Sequence, residues 1–281
     1  MSRVFNGTTS RVTVDKLVTL GSKISVSARV HMLGEGEGGD FWNVAIQGGQ
    51  ILTGASRNRR WGFWIRMAGE RLLYLSVGAL TTAGDWAKAI TLPLNETHHV
   101  GFSYDGTVAS NDPIFYIDGV AAGGAFIVDA NPVGALAPDP QPLYIGGNEL
   151  NDGTANGYIQ GLAIWRRVLS AAEWAIVHAE GVYAVPTAGL EMYYPFSNAD
   201  DGSAESDTVA LDGSGNDHPA TATAAPRAAN LVEPRVMVPS MAAPLTVNAM
   251  AHQPQFNKVW LFKIGDDLYV ADRDFEGALE V

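Results

Sequence analysis

The residue types best suited to chemistry in this chain are five arginines, Arg57, Arg59, Arg60, Arg66 and Arg71. They are interleaved with Trp61 and Trp64 and relieved only by Glu70. A guanidinium pairs with a carboxylate in a planar fork, and guanidinium and indole both stack on flat faces. The pattern suits an acidic neighbour first, namely the 198–217 stretch of this chain or of another copy. A glycan or other anionic ligand comes second. Arg57, Arg59, Arg60 and Trp61 are the contact residues it names.

Paired carboxylates are scarce. Glycoside hydrolysis needs two, flanking the bond at roughly 5–9.5 Å from one another. Glu35 and Glu37 are close in sequence, but they lie in the run GEGEGGD at 34–40, where glycine leaves the backbone unable to fix them. Asp266 and Asp267 read as a turn. His98 and His99 fall within a strand pattern, so they project to opposite faces and cannot converge on one ion. One is expected to be buried and the other exposed. No G-x-S-x-G elbow occurs, and the absence of cysteine removes thiol nucleophiles, Cys-ligated zinc and disulfides. No catalytic residue is expected, and the chain reads as a non-enzyme.

The elements that must position these groups are strands. Only 17% of the 281 residues are charged, against roughly 25% in ordinary soluble domains, while 31 glycines and 14 prolines punctuate the chain. This argues for strands and turns over helical bundles. In Lys23–Met32, Ile24, Val26, Ala28 and Val30 alternate with Ser25, Ser27, Arg29 and His31, the period of a half-buried antiparallel strand. Further strands are expected at 41–47, 61–67, 71–78, 98–104, 114–118, 143–147 and 157–165, with turns at Asp105-Gly106 and Asp118-Gly119. Strands at this spacing without intervening helices make a β-sandwich. One helix is expected after Ser170, where Ser170 and Glu173 form a capping box and Gly181 terminates it.

The formal net charge of -12 repels phosphate backbones, so nucleic acid is not an expected partner. No apolar run approaches the roughly 18 residues that cross a bilayer, and MSRVFNGTTSRVTV has no apolar signal core. The expectation is synthesis in the cytosol without export and without a membrane. The composition shifts after residue 181, and from 219 to 254 the chain is rich in Pro and Ala. Prolines at 234, 239, 244 and 254 forbid regular structure, whereas Met237 and Met241 are apolar and need cover. Lys258–Val270 then recovers a hairpin pattern containing Trp260 and Phe262. Residues 231–281 are expected to form an extended assembly arm ending in this hairpin.

Several motifs, in order, carry a family resemblance. FNGTTSRVTV, HHVGFSYDGT, PIFYIDGV and GYIQGLAIWRRVLSAAEWAIVHAEG resemble the laminin-G-like (concanavalin A-like) jelly roll over roughly the first 180 residues. GLEMYYPFSNADDGSAESDTVALDGSGNDH at 189–218 resembles an element that in many members opens the domain but here follows the helix. The resemblance implies an all-β jelly-roll sandwich over 1–230, with 181–230 as a return segment. It also implies a calcium position near the opening motif, where Asn6 and Gln160 replace aspartates; Asn148, Glu149, Asn151 and Asp152 are the residues that would compensate, the alternative is a polar turn network, and no other cofactor is expected. The motif order resembles that of tailed-phage and prophage structural proteins. The leading expectation is therefore a non-enzymatic virion subunit of capsid decoration, fibre or tail, made in the host cytoplasm. Its partners would be capsid or tail proteins and further copies of itself, with a trimer as the working stoichiometry. A carbohydrate-binding adhesin is the alternative, and a glycan hydrolase the remote one.

Overall fold

The computed structural model describes residues 2–14, 21–36, 41–48, 59–66, 71–79, 82–133, 142–148, 153–196, 209–225, 227–228, 259–264 and 267–272. Among these, in chain order, are β1 (Ser2–Asn6), β2 (Arg11–Val14), β3 (Lys23–Met32), β4 (Phe41–Gly48), β5 (Arg59–Arg66), β6 (Leu72–Val77), β7 (Gly84–Ala89), β8 (Thr97–Asp105), β9 (Ile114–Ile117) and β10 (Val120–Ala121). Then come β11 (Val128–Ala130), β12 (Leu143–Ile145), β13 (Asn156–Trp165), α1 (Ala171–Glu180), β14 (Leu190–Tyr194), β15 (Val209–Ala210), β16 (Ala220–Thr223), β17 (Arg227–Ala228), β18 (Val259–Ile264) and β19 (Asp267–Asp272). No helix among the described residues is long and apolar enough to cross a membrane.

The chain divides into two compact units, Met1–Glu233 and Pro234–Val281. The first is a sandwich of two antiparallel sheets. One sheet has the order β10-β9-β8-β3-β13-β1-β17, with β14 also paired to β13. The other runs β11-β7-β6-β5-β4-β12-β2-β16-β15. Period two explains how they face one another. Ile24, Val26, Ala28, Val30 and Met32 of β3 enter the core, as do Trp61, Phe63 and Ile65 of β5. Strand β7 was not expected from its sequence, GDWAKA. It forms because β6 and β11 pair it on both sides, and its Trp86 fills the core.

In the second unit, β18 and β19 pair antiparallel, with Trp260 opposite Ala271 and Phe262 opposite Tyr269. Met237 and Met241 lie outside the described residues, as do Arg57, Asn151 and Asp152.

Helix α1 has the expected capping box, with Ser170 and Glu173 each reaching the other's backbone N–H. It covers the outer face of the eight-stranded sheet. The Trp174 ring stacks on Tyr116 at 4.5 Å between centroids, and its indole N–H donates to Ser103 Oγ at 2.9 Å. Gly101 makes this approach possible, since a Cβ there would lie 2.2 Å from Trp174 Cη2.

Both adjacent histidines take part in this seam, which corrects the expectation that one of them is exposed. His99 is buried against Trp174 and His178, its ring 5.7 Å from that of His178. His98, itself largely covered, donates from Nδ1 to Asp118 Oδ2 at 2.9 Å. Asp118 also accepts the His99 amide at 2.8 Å. With Gly119 it forms the two-residue positive-φ turn of the β9–β10 hairpin. Arg29 closes the seam by donating to the His178 carbonyl at the helix end.

Burial drives the His99 pKa down to about 3, helped by Arg29 and His178 and opposed by Asp118. Burial works to raise the Asp118 carboxyl, but the hydrogen bonds from His98 and His99 outweigh it and hold the group below its ordinary value. The folded His99 pKa lies below its unfolded value, so acid protonates the unfolded chain first. Stability is therefore undiminished above about pH 6.5 and falls by roughly 1.4 kcal/mol per pH unit from His99 alone as the pH drops towards 3. Asp118 adds a loss at the acid end of that range. Denaturant unfolding from pH 7 to 4 should show this decline, and His99→Phe should flatten it; a variant as acid-sensitive as the parent would refute the assignment to His99.

Candidate functional site

The core residues of β5 decide what its other side presents. With Trp61, Phe63 and Ile65 turned inward, Gly62, Trp64 and Arg66 lie on the outer face of the nine-stranded sheet. The side chains of Arg59 and Arg60 lie outside the described ones, and a register shift between β4 and β5 falls at Arg60. Trp61 is 2% exposed and packs edge-on against Phe102 at 6.1 Å, so it is a core residue and offers no stacking surface. The expected contact role passes to its neighbour on the other face. Alternation could have separated the two tryptophans, but only the core shows which of them faces inward.

Trp64 pairs across the ladder with Tyr74 of β6 and stacks on it at 4.8 Å and 11°. It belongs to neither core cluster and is nonetheless only 3% exposed, whereas Tyr74 is half-buried. Asn43 of β4 pairs with Trp64 from the other side and is buried. In the next row Gly62, Ser76 and Asp85 are register partners across β5, β6 and β7. Ser76 is buried and Asp85 half-buried. Tyr144 of β12 and Thr13 of β2 extend this row with hydroxyl groups. The face thus has an aromatic floor, amide and hydroxyl groups beside it, and Tyr74, Asp85 and the exposed Arg66 as its accessible parts.

Tyr74 is the aromatic group this face leaves partly open, and an aromatic edge beside charged and hydroxyl groups suits the apolar faces and hydroxyl edges of sugars. Asp85 is the single carboxylate placed on this face among the described residues, and hydrolysis of a glycosidic bond needs two.

Asn6 has a different role from the expected metal ligand. Its Oδ1 accepts the amides of Thr8, Thr9 and Ser10 at 2.9–3.1 Å, and its Nδ2 donates to Thr9 Oγ1. An oxygen on which three N–H groups converge does not suit a cation ligand. Gln160 pairs in register with Arg29, a fixed positive charge. Among the described residues no cluster of three His, Asp or Glu side chains is arranged to hold a metal ion.

The second acidic motif, DGSGND, forms a turn network. Asp212 accepts the amides of Tyr193, Ser214 and His218, while Asn216 donates to the Leu190 and Glu191 carbonyls. Glu191 binds Arg166 at 2.6 Å and His218 at 3.1 Å. These bonds anchor the return segment to β14.

Residues 6–175 match the family model described as the concanavalin A-like lectin/glucanases superfamily. Among solved structures, a candidate carbohydrate binding protein from Bacteroides ovatus ATCC 8483 is similar, with a TM-score of 0.54 and 17% identity over 82% of this chain. The chain spans 61% of that protein. A heptameric SAP-like pentraxin from Limulus polyphemus aligns at a TM-score of 0.49 and 13% identity, covering 64% of this chain and 83% of the pentraxin. The enzymatically active domain of a tailspike from bacteriophage CBA120 aligns at 0.43 and 11% identity, covering 60% of this chain and 26% of the tailspike. No curated protein matches the sequence.

The Asn6 geometry gives a direct test. Asn6→Ala should lower the melting temperature by a few degrees, as loss of a capping side chain worth about 1 kcal/mol does, and equally with calcium or with a chelator. A loss seen only in calcium would make Asn6 a metal ligand after all.

Proposed function

We propose that this chain, which belongs to the concanavalin A-like lectin/glucanases superfamily, binds carbohydrate without cleaving it, through the outer face of the nine-stranded sheet. The observation that carries this reading is the Trp64–Tyr74 stack, set beside Asn43, Ser76 and Asp85 on a face that alternation turns away from the core. Tyr74, half-buried and held in place by its stack on the buried Trp64, gives a sugar ring a preorganised apolar edge at little entropic cost. A single carboxylate on this face among the described residues supports the non-catalytic half of the proposal.

A virion location is a further proposal, compatible with this activity as an adhesin. It is favoured by the β18–β19 hairpin, two paired strands whose sequences, VWLFKI and DLYVAD, are mostly apolar. Such a pair is marginal alone in water and calls for a protein surface against it. Identification of the proteins that co-purify with the chain tests that part separately.

A glycan array probed with the full chain tests the main reading. Selective binding is expected, and Tyr74→Ala should weaken it about tenfold or more while the fold persists by circular dichroism. Uniform failure to bind, or binding indifferent to Tyr74, would count against the face. Release of reducing ends from a bound polymer, lost in Asp85→Asn, would overturn the non-catalytic half.

A further inference from the structure

We propose that Tyr183 is the floor of a second glycan contact, for a neutral pyranose, on the outer face of the eight-stranded sheet. This contact goes beyond the reading above: it uses other residues on the opposite side of the sandwich and does not depend on Tyr74.

Tyr183 belongs to the short turn Val182–Ala184 that follows Gly181, and it is 60% exposed. No other aromatic side chain among the described residues is as open. An exposed side chain is ordinarily free to turn, but this one is held. Its hydroxyl donates to the Gly213 carbonyl at 2.6 Å, and its ring meets that of Tyr193 edge-on, 5.2 Å between centroids at 86°. The loop is shaped to receive it. The Gly213 N–H donates to the Tyr193 carbonyl at 2.7 Å. A Cβ on Gly213 would lie 2.7 Å from the Tyr183 hydroxyl oxygen and 3.2 Å from Tyr193 Cδ1, so the approach admits only glycine. A ring fixed at its tip and along its edge, with a face still in water, needs little ordering when a ligand arrives.

Alternation sets the side on which it lies. Met192 and Tyr194 of β14 enter the core, so Tyr193 between them faces outward, opposite Ala163 of β13 in the layer beneath α1. Tyr74 is on the outer face of the other sheet, stacked on Trp64. The two aromatic positions look away from each other, and one chain can engage two separate glycan segments.

The charges around Tyr183 select the ligand. Burial first and the Asp212 carboxylate second hold its hydroxyl above the ordinary tyrosine pKa, which marks the surroundings as negative. Asp217, exposed in the same loop, has the same sign, and the nearby Arg166 and Arg167 are tied to Glu191 and Glu173. An acidic sugar is therefore repelled. A cation is disfavoured for another reason: Asp212 already accepts the Tyr193, Ser214 and His218 amides. Tyr193 is also half-buried, so one ring is open rather than an aromatic cage. A neutral pyranose matches what remains, its apolar C–H face on the ring. The exposed Gly215, Asn216 and Asp217 follow the anchoring glycine closely and offer polar groups to its hydroxyls.

The test titrates the full chain with dextran, laminarin and galactomannan, with polygalacturonate and tetramethylammonium as charged controls. A Tyr74→Ala background isolates the second contact. At least one neutral polymer should still bind there, and adding Tyr183→Ala should weaken it about fivefold or more. Tyr183→Phe, which keeps the ring and loses the anchor, should fall between the two. If Tyr183→Ala melts early, Tyr183→Leu, apolar but without a ring face, takes its place. Residual binding indifferent to Tyr183, or complete loss with Tyr74→Ala alone, overturns the second contact and leaves the nine-stranded face standing. Binding lost with Tyr183→Ala alone and unchanged by Tyr74→Ala supports the second contact and removes that face. Tighter binding of polygalacturonate or tetramethylammonium, lost in Tyr183→Ala, overturns the neutral sugar as ligand. Failure of every neutral polymer overturns the inference, and the glycan array then decides the other face separately.

Discussion

The aromatic layer between the sheets is the constraint on which the rest depends. Phe102 of β8 packs against Trp61 and Phe63 of β5 at 6.1 and 5.2 Å, Phe63 stacks with Phe115 of β9, and Trp86 of β7 packs against Tyr104. These contacts join the two sheets, and they also fix the phase of each strand. A slip of one residue in β5 would bring Trp64 and Arg66 into the core and expel three large apolar side chains. The outer face of the nine-stranded sheet is thus set by the packing on its inner side.

The two outer faces have been put to different uses. On the eight-stranded sheet, α1 covers the outer side through Trp174, and the histidines, Asp118 and Arg29 are bound into that seam. These groups have titration chemistry but no open surface, so their consequence is acid sensitivity of the fold. On the nine-stranded sheet the aromatic pair is flanked by an exposed arginine and a half-buried carboxylate. Polar groups with their hydrogen bonds already filled, such as Asn6 and Asp212, belong to turns. Those left available, Arg66 above all, are the ones a ligand can use.

Much of this architecture is written locally. Strict alternation marks β3 and assigns its core face, because a strand projects successive side chains to opposite sides. The capping box of Ser170 and Glu173 and the turn at Asp118-Gly119 are short-range interactions among a few residues, so their sequence signals are complete. The fold class follows from several such elements in series. Strand β7 shows the limit: Gly, Ala and Lys have little strand preference, and only pairing on both sides makes GDWAKA a strand.

The sequence by itself determined that Trp64 and Arg66 share one side of a strand and Trp61 the other, since that is a matter of period two. It also determined that the helix is capped, and that the chain has few carboxylates spaced for hydrolysis. Only the tertiary structure decided which side of β5 is buried, that Trp64 meets Tyr74, that Asn6 is saturated by amides, and that Arg66 has no partner among the described residues. The reason is physical: periodicity is a property of neighbouring residues, whereas burial, stacking and the satisfaction of a charge depend on groups brought together from distant parts of the chain.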